Sequence, residues 1–234
     1  MIEQRRNLGM ETSPMLPQML DIWQQMNWQP TQAQQAKFQR LYELILAGNR
    51  QLNLTRITAP LEFWEKHLWD SLRGIAAYLS TPQTTMKMID VGTGAGFPGI
   101  PIAIVCERSH VTLLDSTRKK MNFVDSLVAE LDISNATTLV GRAESINQLP
   151  QHHQSYDVAL IRAVGSPHLC AEYTLPFLKP NGLAILYRGQ WTTDETEALQ
   201  TRVKPLRGVI EKIEEFVTPL SQSVRHCVYL RKIS

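Results

Sequence analysis

The chain has 234 residues and a formal net charge of +2, enough length for one substantial core but too little for a dinucleotide domain with a separate substrate domain. The near-neutral charge excludes a strong whole-molecule field for a polyanion, so any nucleic-acid surface must be local. Cys106, Cys170 and Cys227 lack close spacing, which argues against a disulfide framework or a zinc site. No apolar run approaches the ~20 residues of a membrane span. We therefore expect a cytoplasmic protein without metal or membrane attachment.

Helical patterns occupy the first third of the chain. Apolar residues at three- and four-residue spacing predict helices over 14–26, 30–47 and 60–79. Thr31 suits the N-cap of the second helix, and 48–55 is typical of a turn. Three tryptophans of this region fall on apolar stripes and are expected in the core rather than on a base-stacking surface: Trp23, Trp28 and Trp64.

A strand that runs into a glycine-rich turn is the most informative local pattern. In Met88-Ile-Asp-Val-Gly-Thr-Gly-Ala-Gly-Phe-Pro-Gly99, apolar residues precede Gly92, Gly94 and Gly96. Without a Cβ, the backbone can take positive φ and approach a ligand closely. Pro98 suits the first turn of the helix that follows. The pattern predicts a nucleotide-type cofactor site.

The identity of that cofactor depends on the acidic residues around the loop, because the stretch from Gly94 to Gly99 also matches the dinucleotide fingerprint. The earlier Gly92 and the carboxylate of Asp90 favour S-adenosylmethionine, since a carboxylate attracts a sulfonium and repels a pyrophosphate. Asp90 is equally suited to accept backbone N–H bonds from the loop. Asp115, at the end of the next apolar strand, suits the ribose hydroxyls of either cofactor.

From residue 86 onward, short apolar strands alternate with helices, which predicts a parallel, doubly wound sheet. The last two strands have no helix between them, so we expect them to pair antiparallel. We therefore predict an α/β, Rossmann-like S-adenosylmethionine-dependent methyltransferase fold over 85–234, with a mostly parallel seven-stranded sheet and one antiparallel strand. A helical extension over 1–84 is expected to pack on it. The strands are predicted at 86–91, 110–115, 136–140, 156–161, 183–187, 206–215 and 225–232.

Eight spaced motifs together are more specific than any one of them. They are Asn53-Leu-Thr55, His67-x-x-Asp70-Ser-Leu72, the stretch from Asp90 to Pro101, Leu114-Asp-Ser116 with Lys119-Lys120, Arg142-Ala-Glu144, Arg162-Ala163, Leu178-Lys-Pro-Asn-Gly182 and Arg225-His226. In this order they resemble the bacterial small-subunit (16S) ribosomal RNA guanine-N7 methyltransferases, the glucose-inhibited division protein B family. The resemblance covers most of the chain. The chain departs from the family pattern at Arg188-Gly189, where the family pattern has Lys-Gly.

The resemblance implies roles for particular residues. Asp115 would hold the ribose of S-adenosylmethionine, and Arg162 would reach between cofactor and substrate. His67 and Arg188 are expected on the substrate side, although arginine and lysine differ in hydrogen-bond geometry. The remaining cofactor residues would be Gly92, Gly94, Phe97, Ala143 and Glu144. The implied substrate is small-subunit ribosomal RNA or the 30S particle, and the enzyme is expected to act as a monomer.

The implied reaction needs no general base, because guanine N7 has a lone pair and carries no proton. Alignment alone can lower a barrier by roughly 7–11 kcal/mol. We therefore assign no catalytic residue, and the sequence offers no obvious catalytic histidine or carboxylate pair. A small-molecule or protein methyltransferase and a non-catalytic nucleotide-binding module remain alternatives at this stage.

Simpler roles are open for several charged residues. Glu144 and Arg162 could form a structural ion pair, and His67 and Asp70 could make a local helix contact. His152 and His153 have no other potential metal ligands near them in the sequence, so a solvated loop is the simpler interpretation. A basic group could be a solvated surface or an RNA-facing rim: Arg118, Lys119, Lys120, Arg188, Arg202, Lys204 and Arg225.

Overall fold

The computed structural model describes residues 14–81 and 83–234. At its centre lies a seven-stranded sheet in the order β3-β2-β1-β4-β5-β7-β6. The first five strands run parallel to one another, whereas β7 pairs antiparallel with both β5 and β6. This arrangement confirms the predicted fold class. The strands are β1 Lys87–Val91, β2 His110–Asp115, β3 Ala136–Val140, β4 Tyr156–Arg162, β5 Leu178–Arg188, β6 Gly208–Val217 and β7 Val224–Lys232.

Helices connect and cover these strands. The chain passes from β1 outward through β2 to β3 and then returns to place β4 on the other side of β1. The carboxyl ends of β1 and β4 therefore form a topological switch point, where open α/β sheets bind ligands. The helices are α1 Leu20–Gln24, α2 Gln32–Leu52, α3 Pro60–Phe63, α4 Asp70–Arg73, α5 Ala76–Leu79, α6 Gly99–Val105, α7 Arg118–Glu130, α8 Ala143–Ile146, α9 Pro167–Thr174 and α10 Thr193–Val203.

The two faces of the sheet bury separate apolar clusters, as the alternation of side chains along a strand requires. On β1, Met88 belongs to the cluster that includes the N-terminal helices, α6 and α7, whereas Ile89 and Val91 belong to the cluster under α8, α9 and α10. Trp23 and Trp64 are fully buried in the first cluster, and Trp28 packs against it. The tryptophans are therefore core residues, as predicted.

Helix α2 begins where the sequence indicates but ends later. The Thr31 hydroxyl accepts the Gln34 N–H, and the Gln34 side chain accepts the Thr31 N–H, which forms a capping box. The helix then continues through Gly48 to Leu52, so the predicted turn over 48–55 is largely wrong. A Cβ at Gly48 would collide with the Phe123 ring. Glycine here serves close packing of α2 on α7 rather than a turn.

The other two N-terminal helices are shorter than predicted. Of 14–26 only α1 is helical; the residue before Pro17 is disfavoured in helical conformation, and Met19 has a left-handed φ of 47°. The predicted helix over 60–79 is divided into α3, a π-helix at Trp64–Trp69, α4 and α5. The break after α4 lies at Gly74, whose missing Cβ leaves room for the Tyr187 ring.

Smaller differences occur in the strands. β5 begins at Leu178 rather than 183, with a register shift against β4. β6 begins at Gly208 because a 3₁₀ turn over Lys204–Leu206 and a left-handed Arg207 precede it.

Among the helices of 14–81 and 83–234, none combines the length and apolar character needed to cross a bilayer.

The packing of α2 generates a stability prediction. Leu41 is fully buried in the first apolar cluster, so Leu41→Ala should lower the free energy of unfolding by about 2–5 kcal/mol through lost burial and a residual cavity. Leu61→Ala on α3 is the matched control, because that side chain is 54% exposed and its truncation should change stability by less than about 0.5 kcal/mol. Urea unfolding followed by circular dichroism measures both. Equal effects of the two substitutions would contradict this packing.

Candidate active site at the carboxyl ends of the strands

A cavity of about 450 Å³ opens at the switch point of the sheet. Its floor is the glycine loop after β1, and its sides come from the loops after β2, β3 and β4. Every residue predicted from the sequence as a cofactor contact lines it: Gly92, Gly94, Phe97, Asp115, Ala143, Glu144 and Arg162. Sequence motifs separated by up to seventy residues thus meet around one space.

The glycine loop has the backbone that the sequence predicts. Gly92, Gly94 and Gly96 have φ values of 73°, 60° and 99°, which residues with a Cβ rarely adopt. At Gly94 a Cβ would have only the Gly92 carbonyl oxygen near it, at 3.9 Å, so a side chain there would project into open space beside the cavity. The loop therefore forms a cradle that fits a ligand lying directly on the backbone.

Asp90 shapes this loop from below and does not line the cavity. It is fully buried, and its Oδ2 accepts the Thr93 hydroxyl at 2.6 Å and the Gly99 N–H at 2.8 Å. Burial raises the pKa of the Asp90 carboxyl to about 6, against the lowering effect of these two hydrogen bonds. Of the two roles open from the sequence, the structure gives Asp90 the structural one.

Asp115 stands at the end of β2 and lines the cavity. Its Oδ2 accepts the Gly94 N–H at 3.1 Å, and its Oδ1 accepts the Thr117 N–H at 2.8 Å. One carboxylate therefore fixes the positions of two loops. Each oxygen keeps further acceptor capacity, so the carboxylate suits a diol with two hydroxyl donors.

Arg162, the last residue of β4, joins the sheet to the N-terminal helices. Its Nη1 donates to the Lys66 carbonyl at 2.9 Å and to Asp70 Oδ2 at 3.3 Å, and its guanidinium carbon lies 5.8 Å from the centre of the Phe97 ring. Burial raises the pKa of Asp70, and Arg162 opposes that rise. The ion pair between Arg162 and Glu144, an alternative that the sequence left open, is not formed: Arg162 pairs with Asp70.

Glu144 does not pair with Arg162, because α8, the helix that carries Glu144, starts on the far side of the cavity from Arg162. Arg142 precedes α8, and its Nε donates to Glu144 Oε1 at 2.6 Å. Both side chains are exposed, so the pair contributes little to stability. Glu144 and Ala143 thus line the first cavity on the side opposite to Lys66 and Asp70, the partners of Arg162.

The π-helix explains how the Lys66 carbonyl becomes available to Arg162. In an α-helix the N–H of Asp70 would reach Lys66, four residues earlier. Here it donates to the Glu65 carbonyl instead, one residue further back. This change of register releases the Lys66 carbonyl, and Arg162 takes the place of the missing donor. Single π turns commonly occur at functional sites; the apolar spacing of this stretch is that of an ordinary amphipathic helix and did not predict this one.

His67 lies in the wall between Phe97 and Arg162. Its ring stacks on Phe97 with centroids 4.3 Å apart and an interplanar angle of 13°. Nε2 is 3.0 Å from the Thr55 hydroxyl, and Nδ1 is 3.5 Å from Arg162 Nη2. Burial, together with the positive charges of Arg162 and Lys66, lowers the pKa of His67 to about 3. The contacts of His67 and Asp70 converge on Arg162 rather than on each other.

A second cavity, of about 510 Å³, adjoins the first and shares His67, Arg162 and Ala163 with it. Arg188 lines this second cavity, where its Nη1 donates to the Gly165 carbonyl at 2.9 Å. Both residues predicted on the substrate side, His67 and Arg188, therefore meet here. Glu65, Asp70 and Tyr187 also line it. They were not predicted as site residues, because the packing of the N-terminal helices on β5, seen in the Tyr187 hydroxyl that donates to the Ser71 carbonyl, brings them to this surface.

The predicted basic rim divides between different places. Lys120 lines the first cavity, and Arg225 lines the second with Arg188. Arg202 and Lys204 lie at the end of α10, a helix that follows β5 and leads away from the carboxyl edge of the sheet. These two residues therefore do not belong to the rim.

The histidine pair also has an ordinary structural role. His152 Nδ1 is 2.7 Å from the Tyr156 hydroxyl, and His153 Nδ1 is 2.9 Å from the Asn147 carbonyl. Within 14–81 and 83–234 there is no group of three or more His, Cys, Asp or Glu side chains that could hold a metal ion.

The sheet order, its single antiparallel strand, and the glycine loop with Asp115 at the switch point define the class: a Rossmann-like S-adenosylmethionine-dependent methyltransferase. The fold is similar to the crystal structure of M. jannaschii TYW2 in complex with AdoMet, with a TM-score of 0.50 and 15% identity over 68% of this chain and 75% of that chain. At this identity the likeness concerns the fold.

Sequence relatives are much closer. The chain matches the GidB family, rRNA small subunit methyltransferase G, over residues 34–227. It is 65% identical over 223 residues to the ribosomal RNA small subunit methyltransferase G of Nostoc punctiforme, and the aligned region covers 94% of this chain and 91% of that protein. It is 61% identical to that of Nostoc sp. over 94% of this chain and 91% of that protein. The chain therefore belongs to the rRNA small subunit methyltransferase G (GidB) family.

The environment of His67 generates a titration prediction. Because its pKa is lowered to about 3, the ring should remain neutral from pH 8 down to pH 5, and its Cε1 proton resonance should not titrate in NMR spectra over that range. The spectrum of His67→Gln assigns the resonance. Between pH 6.5 and about 3 the free energy of unfolding should fall, because the unfolded chain binds a proton that the folded ring does not. A midpoint near pH 6.5 would contradict the buried position.

Proposed function

We propose that the protein transfers a methyl group from S-adenosylmethionine to N7 of a specific guanine in small-subunit (16S) ribosomal RNA. The observation that carries this proposal is the pair of adjoining cavities, one on the glycine loop and one rimmed by Arg188 and Arg225, in a member of the rRNA small subunit methyltransferase G family. The two cavities share three lining residues, His67, Arg162 and Ala163, which places a ligand in one next to a ligand in the other.

The first cavity is the proposed cofactor site. Gly92 and Phe97 line the methionine end, Asp115 accepts the ribose hydroxyls, and Ala143 and Glu144 lie beside the adenosine. Gly94 keeps the loop open, and Arg162 forms the border with the substrate. When bound, S-adenosylmethionine supplies an electrophilic methyl group. A cradle without Cβ atoms and a carboxylate fixed by two N–H groups both suit such a ligand.

The protein itself contributes alignment rather than proton transfer. Both ring nitrogens of His67 already face partners, Thr55 and Arg162, and its low pKa makes it a poor base at neutral pH. Guanine N7 needs no base. We therefore assign no residue to proton transfer; Arg162 and Phe97 hold the wall, and His67 and Arg188 contact the substrate side. Positioning of this kind can lower a barrier by roughly 7–11 kcal/mol.

The setting of the reaction follows from the proposed substrate. We infer that the partner is naked small-subunit RNA or the 30S particle, that the enzyme works as a monomer because both cavities are built by one chain, and that it acts in the cytoplasm, where that RNA is found. We also propose that 1–84 is a helical extension packed on a catalytic domain of 85–234, since the first apolar cluster is continuous between 14–81 and the sheet; residues 1–13 and 82 lie outside the described residues.

Asp115→Ala tests the cofactor site. Loss of the carboxylate should weaken S-adenosylmethionine binding by about 1–3 kcal/mol, because two charge-assisted hydrogen bonds to the ribose are lost. Isothermal titration calorimetry measures the affinity. Asp125→Ala is the matched control: this carboxylate lies on α7, accepts the Thr138 hydroxyl at 3.0 Å, and should not affect the affinity. Equal affinities of the wild type and Asp115→Ala would remove Asp115 from the site.

Methyl transfer is tested with methyl-labelled S-adenosylmethionine and small ribosomal subunits, or free small-subunit RNA, from a strain that lacks this activity. The label should enter the RNA at one guanine, and chemical cleavage at 7-methylguanine should map it. Label on protein or on small molecules, with none in either RNA form, would favour the alternative methyltransferase classes and overturn the proposal. Cofactor binding without any transfer would favour a non-catalytic module.

A further inference from the structure

The second cavity is lined by two carboxylates, Glu65 and Asp70, which differ in their exposure and in the groups that they accept from. Glu65 is almost fully buried, and its Oε1 accepts the N–H groups of Leu220 at 2.6 Å and Ser221 at 2.9 Å. These bonds hold the turn between β6 and β7 against the π-helix and lower the pKa of Glu65 despite its burial. Glu65 is therefore a positioning residue for the cavity wall.

Asp70 is the more exposed of the two carboxylates. Its side chain is 18% exposed and lines the second cavity. Oδ2 accepts from Arg162 at 3.3 Å, whereas Oδ1 accepts no hydrogen bond from any side chain or loop amide in the part of the chain that the structure describes. An acceptor of this kind, largely withdrawn from water, gains from a ligand that brings donors. The π turn and Arg162 fix it in place.

The pattern of donors on each base decides which base suits this acceptor. Guanine presents two neighbouring donors on its Watson–Crick edge, N1–H and the 2-amino group, which match a carboxylate. Adenine and cytosine present a ring acceptor next to their amino group, and uracil presents one donor between two acceptors. Enzymes that modify a base read this edge once the base has left its stack. A carboxylate at this position therefore selects guanine over the other three bases.

The reaction gives this contact a second consequence. The N7 lone pair forms the new N–CH₃ bond as the C–S bond breaks, and the electron pair of that bond stays on sulfur. No proton leaves, so the base becomes cationic. A carboxylate bonded to N1–H and the 2-amino group binds the cationic base more strongly than the neutral one. Such an interaction grows toward the transition state and raises the rate as well as the affinity.

We propose that Asp70 is the guanine-selecting residue of this enzyme, with its carboxylate accepting N1–H and the 2-amino group of the target base in the second cavity. The inference rests on the proposed function. The simpler role for Asp70 is to anchor Arg162. The two roles differ in one respect: only a residue that contacts the base senses the removal of the 2-amino group.

The test compares guanosine with inosine, which lacks the 2-amino group, at the methylated position of reconstituted small-subunit RNA. With the wild-type enzyme, inosine should lower kcat/KM by about tenfold, because one hydrogen bond to the carboxylate is lost. With Asp70→Asn, overall kcat/KM should fall, and the further loss caused by inosine should shrink to less than about threefold. An inosine effect of the same size in both enzymes would overturn the proposal.

Three controls keep the outcomes separate. Glu65→Gln alters the other carboxylate of the same cavity and should keep the full inosine effect. The guanosine and inosine RNAs are compared at saturating S-adenosylmethionine, at a concentration set by calorimetry on each enzyme, so that any change in cofactor affinity through Arg162 affects both RNAs equally. If Asp70→Asn has no measurable turnover, filter-binding affinities for the guanosine and inosine RNAs replace kcat/KM. The inosine effect on affinity should then be smaller in Asp70→Asn than in the wild type, and an equal effect would overturn the proposal. Wild-type enzyme that methylates neither RNA would reject the proposed function instead.

Discussion

The guanidinium of Arg162 is the contact on which the site depends. It joins the end of β4 to residues 92 and 96 positions away in sequence, Asp70 and Lys66, and it lies against the same aromatic wall as His67. A cation this deeply placed is stable only while its acceptors are present, and removal of one partner of a buried pair commonly costs about 3–5 kcal/mol. The N-terminal helices therefore line both cavities together with the ends of the strands.

Four of the carboxylates in or beneath the cavities have different tasks because their surroundings differ. Asp90 bonds only to its own loop, and its burial raises its pKa to about 6. One oxygen of Glu65 accepts two backbone N–H groups of the turn between β6 and β7. Asp115 and Asp70 keep one side toward open space. Burial and prior hydrogen bonding, rather than residue type, separate the carboxylates that build the site from those that can meet a ligand.

Local patterns were sufficient to predict the sheet, the glycine loop and Asp115, because strand alternation, missing Cβ atoms and the end of a strand are properties of neighbouring residues. The partners of Arg162 and Glu144 could not be predicted in this way, since they depend on which elements meet in space. The end of α2 was wrong for the same reason: Gly48 is a turn signal in sequence, but the Phe123 ring makes it a packing residue. The π turn could not be predicted, because its apolar residues have the spacing of an ordinary amphipathic helix.

The wall that the two cavities share has a thermodynamic consequence. Because His67, Arg162 and Ala163 border both spaces, a ligand that stiffens or shifts this wall from one side changes the free energy of binding on the other. Such coupling is reciprocal: whatever factor one ligand imposes on the affinity for its neighbour is returned unchanged. If cofactor and RNA occupy the two cavities as proposed, any such coupling between their affinities would pass through these three shared residues.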